Sequence, residues 1–385
     1  MCEEGGGFGY ASSLMRLQRL SLEHFRSYEA LSLDFGRENV HVFIGHNGAG
    51  KTNILESVSV LSLVKSFLAA EDDEAVRWDQ QHFRVRAECS SDDGTQCSAE
   101  VVSQLTPRRQ KACFVNDVRR SVGEMVGTLP SVSFLPQDLE LFTGAPAQRR
   151  AFLDRLLSQV SPEYLPLLLT YQKILKQRNA LLKHIAQGSA ERSDLPVWDE
   201  RLADTGAAVT VHRLELVGVL QCTLARELAA LGEDWPDAQM RYERKGDACA
   251  LPDIRNEILG SLQENLSRDC MLQSTGTGPH RDDWTILVGG RSIATFASRG
   301  QQRTAVLALL ELQTSYLELR RGEKPVVLLD DVFSELDDAH QTALLQSFAD
   351  HQVLITATHV PPALGSAVLW HVGEGRVSRS ESVKV

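Results

Sequence analysis

Residues Gly45, His46, Asn47, Gly48, Ala49, Gly50, Lys51 and Thr52 fit the pattern G-x-x-x-x-G-K-[ST]. Such a loop suits phosphate. Its glycines let backbone N–H groups close around the oxygens, and a following helix adds the positive end of its dipole. In this pattern Lys51 reaches the β- and γ-phosphates and Thr52 holds Mg²⁺. The competing reading is an ordinary glycine-rich turn before a helix. A second segment, "VVLLDDVF", ends an apolar run in Asp330 and Asp331. A buried strand tip there can place the first carboxylate on a metal's water shell and the second against an attacking water. Two helix-capping acids after a strand are the alternative.

Weaker signals lie between and beyond these two. In "FASRGQQRT", Ser298, Gly300 and Gln301 stand where a helix should begin. A hydroxyl and backbone N–H groups there can meet a γ-phosphate, and only across a dimer, in the partner's site; a capping serine is the plain alternative. "SELD", at 334–337, follows the acids at an interval suited to the same seam. Gln137, in "FLPQD", can touch Mg²⁺ or water from a loop after a strand, or form a surface turn. His359 ends "TATH", either as a γ-phosphate sensor or as a structural strand-end histidine.

The flanking elements support a nucleotide loop. "VHVFIG" is a β-branched run, and Ile54, Leu55, Val58 and Leu61 follow at helical spacing. Strand, loop, helix is the order that phosphate binding requires. Before it, residues 16–35 alternate apolar and polar, which predicts two strands around "HFRSY". "FRVRAEC", "CSAEVVSQL" and "QKACFVND" predict three antiparallel strands between 82 and 120. From Pro146 the spacing turns helical and stays so to about 265, without a sustained heptad. Strands and helices then alternate to the end. The expected organisation is an N-terminal extension over 1–14, an ATPase domain from 15–145 and 266–385, and a helical insertion over 146–265. The fold class is α/β, a mixed sheet carrying the phosphate loop, with an antiparallel β subdomain.

Composition narrows the field. Hydrophobic content of 43% and charge of 24% are ordinary for a globular chain. No uninterrupted run of 18 apolar residues occurs, so neither a membrane span nor a membrane partner is expected. "MCEEGGGFGYASSL" is glycine-rich and lacks a signal peptide's basic region, and reads as a disordered extension, with Met15 an alternative start. Seven scattered cysteines without a C-x-x-C pair predict reduced thiols and a cytoplasmic location. Net charge of −11 disfavours a protein coated in nucleic acid, although local fields govern binding. Arg108, Arg109, Lys111, Arg119 and Arg120 are the candidate DNA contacts; a solvated strand face is the alternative.

Taken together, these segments resemble the ATP-binding-cassette heads of the SMC-like family, and within it the RecF recombination mediators. "FIGHNGAGKTNILESVSVLSLVKSF", "SRGQQRT" and "LLDDVFSELD" carry the nucleotide part of the likeness, over about residues 15–359. "GAPAQRRAFLD", "ILKQRNALLK" and "GPHRDD" discriminate most, because generic cassette ATPases lack them. The resemblance implies an ATP- and Mg²⁺-dependent homodimer with slow, weak ATPase activity. It implies binding of double-stranded and single-stranded DNA at gaps and junctions, action with RecR and RecO, and through them loading of RecA, in repair, replication and the SOS response. It assigns Lys51 and Thr52 to phosphates and metal, Asp330 to the metal, Asp331 to water activation, and Ser298, Gly300 and Gln301 to the trans contact. Many relatives have arginine where this chain has Leu68, followed by an acidic run. Lys51 and Asp330 are 279 positions apart, too few for the coiled coils of an SMC-type rival. A transporter subunit would lack the helical motifs, and a non-hydrolysing scaffold would not need the paired acids.

Overall fold

The computed structural model describes residues 13–68, 72–361, 364–380 and 383–384. Residues 1–12 of the expected N-terminal extension lie outside them. The chain divides into two compact units, one of residues 1–140, 227–233 and 299–385, the other of 141–226 and 234–298.

The first unit holds the nucleotide motifs. Its opening strands, β1 (Arg16–Phe25) and β2 (Tyr28–Asp34), form the hairpin read from "HFRSY". Next come β3 (Val40–Ile44) and helix α1 (Lys51–Leu63). The antiparallel run follows as β4 (His82–Ser90), β5 (Gln96–Gln104), β6 (Gln110–Val115) and β7 (Val118–Arg120). After β8 (Ser131–Phe134) the unit resumes with α2 (Arg299–Arg321), β9 (Val326–Asp330), α3 (Asp338–Ser347), β10 (Val353–Ala357), β11 (Ser366–Gly373) and β12 (Arg376–Arg379).

Two sheets result. One is antiparallel in the order β2-β1-β4-β5-β6-β7. Its strands alternate, so Phe83, Val85, Ala87 and Cys89 are buried while Arg84 and Glu88 are not. The other runs β12-β11-β3-β10-β9-β8 and is parallel except at β12. Its central strands are buried on both faces, which explains why β9 and β10 are continuous apolar runs rather than alternating ones. Helix α1 packs against strands of both sheets. It is therefore buried nearly all round, including Glu56, Ser57 and Ser59.

The second unit has long helices Pro146–Val160, Tyr164–Ala186 and Pro196–Ala230, the last of which runs on past Arg226. Shorter helices follow at Leu251–Glu264 and Leu266–Leu272. It also holds a three-stranded sheet of Gln239–Glu243, Asp283–Val288 and Arg291–Ser292. Residues 266–298, expected in the ATPase domain, thus lie with the helices. The strand Asp283–Val288 pairs with Gln239–Glu243, and Trp284 packs on Phe152 at 5.2 Å between ring centroids. Strand character alone could not show which core it joins.

The motifs "QRRAFLD", "KQRNALL" and "GPHRDD" supply partners to this unit's buried and half-buried polar contacts. Arg149 bonds both oxygens of Asp283 at 2.7 Å. Arg178, fully buried, spans Asp199 at 2.6 Å and Asp269 at 2.8 Å. Asn179 accepts the backbone N–H and hydroxyl of Thr275. Breaking such a pair strands a buried charge at a cost of about 3–5 kcal/mol, so these residues hold the unit together. Within residues 192–230 an 18-residue window reaches the apolarity of a membrane-crossing helix by composition, with mean hydropathy 1.2. The segment nevertheless buries Leu202, Leu216, Leu220 and Leu224 within the protein and carries Arg213 in a 2.8 Å ion pair with Asp154. This is how the core helix of a helical unit is built.

Candidate nucleotide site

The loop between β3 and α1 needs its glycines for two different reasons. Gly48 and Gly50 have φ of 81° and 103°, in the left-handed region that side chains disfavour. A Cβ at Gly45 would lie 2.3 Å from the carbonyl oxygen of Val372 on the neighbouring strand β11. Gly50 is also floored from below. A Cβ there would meet Ser27 Oγ at 2.8 Å and Tyr28 Oη at 2.9 Å, and Tyr28 donates to the Gly50 carbonyl. The β1–β2 turn therefore supports the loop.

Lys51 heads α1 and donates to the Gly45 and His46 carbonyls at 2.6 and 3.0 Å. Burial lowers its pKa, while Asp331 and Asp330 oppose that shift. Next to it, Thr52 donates to Asp330 Oδ1 at 2.9 Å. Thr356, directly opposite Asp330 in the β9–β10 register, donates to the same oxygen at 2.7 Å. Two hydroxyls thus hold one carboxylate oxygen at the tips of adjacent strands. Thr356 Oγ1 also accepts the Asp331 N–H at 2.9 Å. Asp331 sits at φ 48°, a conformation that its short polar side chain tolerates. Burial raises its pKa, with Asp330 and Glu335 adding to the rise and Lys51 opposing it. That leaves Asp331 a more basic carboxylate than usual, beside the Lys51 ammonium.

The cleft is ≈ 290 Å³ and is lined by Asn47, Gly48, Gly50, Lys51, Thr52, Asn53, Asp331 and Thr356. Behind it, Arg26 grips the fully buried Glu56 of α1 with bonds of 2.6 and 2.8 Å. This pair ties the β1–β2 turn to the loop's helix.

The remaining candidates are placed as follows. His46 supplies a carbonyl to Lys51, and Ala49 is buried. Gln137 is exposed on the turn Pro136–Glu140 after β8, and His359 is exposed beyond β10; neither lines the cleft. Ser298 and Gly300 are exposed at the start of α2, where Gln301 bonds Glu233 at 3.2 Å. Among the basic candidates, Arg109 pairs with Asp73 at 2.7 Å and Arg120 with Glu124 at 3.5 Å. Lys111 bonds the Val64 carbonyl at the end of α1. Arg108 is exposed in the loop between β5 and β6, and Arg119 is exposed on the edge strand β7, opposite Phe114 near the far end of β6. Leu68 is 46% exposed.

Thr356, Ser27, Tyr28 and the Arg26–Glu56 pair were not singled out from sequence. Thr356 had one visible signal, a hydroxyl two residues before the end of the apolar run "VLITAT". Glu56 had another, the lone carboxylate in the otherwise apolar and hydroxyl-bearing run "ILESVSVLSLV", which demands a partner once buried.

Comparison with known proteins agrees with this geometry. The family described as RecF/RecN/SMC N terminal domain matches residues 16–367. The DNA replication and repair protein RecF of Heliobacterium modesticaldum is 37% identical, covering 95% of this chain and 100% of that protein. The structure of the recombination mediator protein RecF-ATPrS in the RecFOR pathway superposes with a TM-score of 0.88 at 30% identity, covering 96% of this chain and 99% of that one. The corresponding RecF-ATP structure gives 0.87 at 31%, covering 97% and 100%. With an ABC-type ATPase head, a complete phosphate loop and near full-length likeness to these proteins, the chain belongs to the RecF family.

Proposed function

We propose that this protein is an ATP-dependent DNA-binding protein of recombinational repair and replication, in which two copies close on DNA and hydrolysis ends the closure. The observation that supports it best is the Thr52–Asp330–Thr356 cluster, which joins the phosphate-loop helix to the acidic strand tip. The residues present fit ATP and Mg²⁺. The helix N-terminus and Lys51 suit phosphate, Gly48 leaves open space for it, and Thr52 with Asp330 is an oxygen donor pair of the kind Mg²⁺ takes. Mg²⁺ held there would supply charge neutralisation to the phosphates. Lys51 would exchange its loop carbonyls for phosphate oxygens, and Asp331 would orient and deprotonate water.

Ser298, Gly300 and Gln301 would complete the site of the partner copy. Loss of those contacts on turnover would weaken the dimer, because a ligand shifts an equilibrium only through its differential affinity for the two states. Gln137 would relay the state of Mg²⁺ or water to the helical insertion, and His359 would sense the γ-phosphate. Double-stranded and single-stranded DNA would meet the antiparallel subdomain at Arg108, in the β5–β6 loop, and Arg119, on its edge strand. RecR and RecO would be the protein partners, with RecA served through them. The test is ATP-dependent dimerisation measured by light scattering. Wild type should dimerise with ATP and Lys51→Ala should not; a Lys51→Ala protein that dimerises like wild type refutes the clamp.

A further inference from the structure

At the end of β1 the strand alternation breaks. His24 adopts φ 51°, a left-handed conformation uncommon for a side-chain residue. Its carbonyl is held by the Arg77 N–H and the following Arg26 N–H by the Ala75 carbonyl, both at 2.8 Å, so the kink is fixed from outside. The result brings His24 beside His82, the first residue of β4, with ring centroids 5.2 Å apart and planes at 89°. His82 Nε2 lies 3.2 Å from Glu23 Oε1. One ligand atom from each of Glu23, His24 and His82 falls within 4.8 Å of the other two. His24 Nδ1 is buried without a hydrogen-bond partner. An orphaned ring nitrogen costs about 1–3 kcal/mol unless something fills its lone pair or accepts its proton.

We propose that Glu23, His24 and His82 form a binding site for a borderline divalent transition metal of the zinc class. Two imidazoles and a carboxylate are a donor set that zinc accepts, at metal–ligand distances of about 2.0–2.2 Å. A tetrahedral site of that size has ligand atoms roughly 3.3 Å apart. From within 4.8 Å, the trio must therefore close by at most about 1.5 Å. His82 and Glu23 are 38% and 44% exposed and can make that movement. Arg84, 3.8 Å from Glu23, need not be stranded, because Glu100 stands 3.7 Å from the same guanidinium nitrogen. The metal would clamp β1 to β4 immediately before the Ser27–Tyr28 turn that floors Gly50. It takes no part in the nucleotide chemistry, and its test does not depend on that chemistry.

The probe is Co²⁺ titrated into the full-length protein, followed by Zn²⁺ in competition. Wild type should bind one Co²⁺ with visible d–d bands, lack thiolate-to-cobalt charge transfer in the near ultraviolet, and lose the bands to Zn²⁺. His24→Ala and His82→Ala should each weaken binding by at least about tenfold. Glu23→Gln, a near-isosteric change of a half-exposed side chain, should do the same without loss of fold. Absence of the bands in wild type, or unchanged affinity in the two histidine variants, overturns the assignment. So does a charge-transfer band abolished by Cys89→Ser, which would place the metal on the facing thiols of Cys89 and Cys97.

Discussion

Replacing Thr356 by valine removes one hydroxyl and leaves the shape of the side chain nearly unchanged. The group lost is fully buried and makes two hydrogen bonds, donating to Asp330 Oδ1 and accepting from the Asp331 N–H. The N–H keeps a partner, because it also reaches the Thr356 carbonyl at 3.2 Å. Asp330 is the residue that suffers. A hydrogen bond to an ionised group contributes about 1.5–3 kcal/mol. In the proposed loaded state Thr52 turns to the metal, so Thr356 is the hydroxyl left to orient Asp330. If the whole loss appears in metal-dependent binding, Mg·ATP affinity falls by about tenfold to about a hundredfold. ATP affinity measured in EDTA should change little. The assay is a fluorescent-nucleotide titration with and without Mg²⁺, beside a thermal melt. Thr356→Ser, which keeps the hydroxyl, should restore binding. Equal Mg·ATP affinity in wild type and in folded Thr356→Val would refute the argument that Thr356 positions Asp330.

Asp331→Asn should still bind ATP but fail to turn it over, retaining dimer and DNA far longer than wild type in a filter-binding chase. Burial raises the Asp282 pKa from 3.8 to about 6, with the Tyr242 hydroxyl and the Arg213, Arg244 and Arg150 charges opposing the rise. The folded chain thus holds this proton more tightly than the unfolded one, so its stabilisation is present below pH 3.8 and is lost as pH rises through about 6. Asp282→Asn should remove that dependence, changing the wild-type-minus-variant stability by about 3 kcal/mol across the window in denaturant titrations. If Arg108 and Arg119 meet DNA phosphates, charge reversal at each should lower the log–log salt slope by about 0.9; an unchanged slope places DNA elsewhere.

The phosphate loop was legible because everything it needs is local. Strand β3, three glycines and the first turn of α1 are consecutive, and steric rules act over that distance. The antiparallel strands were legible from alternation, and the parallel strands from continuous burial. The boundary at 298 was not. "DDWTILV" has strand character in either unit, and only its pairing with Gln239–Glu243 assigns it. The basic residues were visible as a cluster, but not their partners. Asp73 and Glu124 take up Arg109 and Arg120, which leaves Arg108 and Arg119 as the stronger phosphate candidates.

From residue order alone came the nucleotide loop, the acidic strand tip and the family resemblance, since each is a short motif whose spacing carries its own chemistry. Strand order supplied the rest. Parallel pairing of β3, β10 and β9 brings Thr52 to Asp330 across 278 positions of chain, with Thr356 a further 26 positions on at the same point. The β1–β2 turn comes to lie under Gly50 because α1 packs against both sheets. The kink at His24 likewise gains a meaning only beside His82. Contacts between distant segments depend on which strands pair and in what register. Many alternative pairings satisfy the same local pattern, so it is the packed core that selects among them.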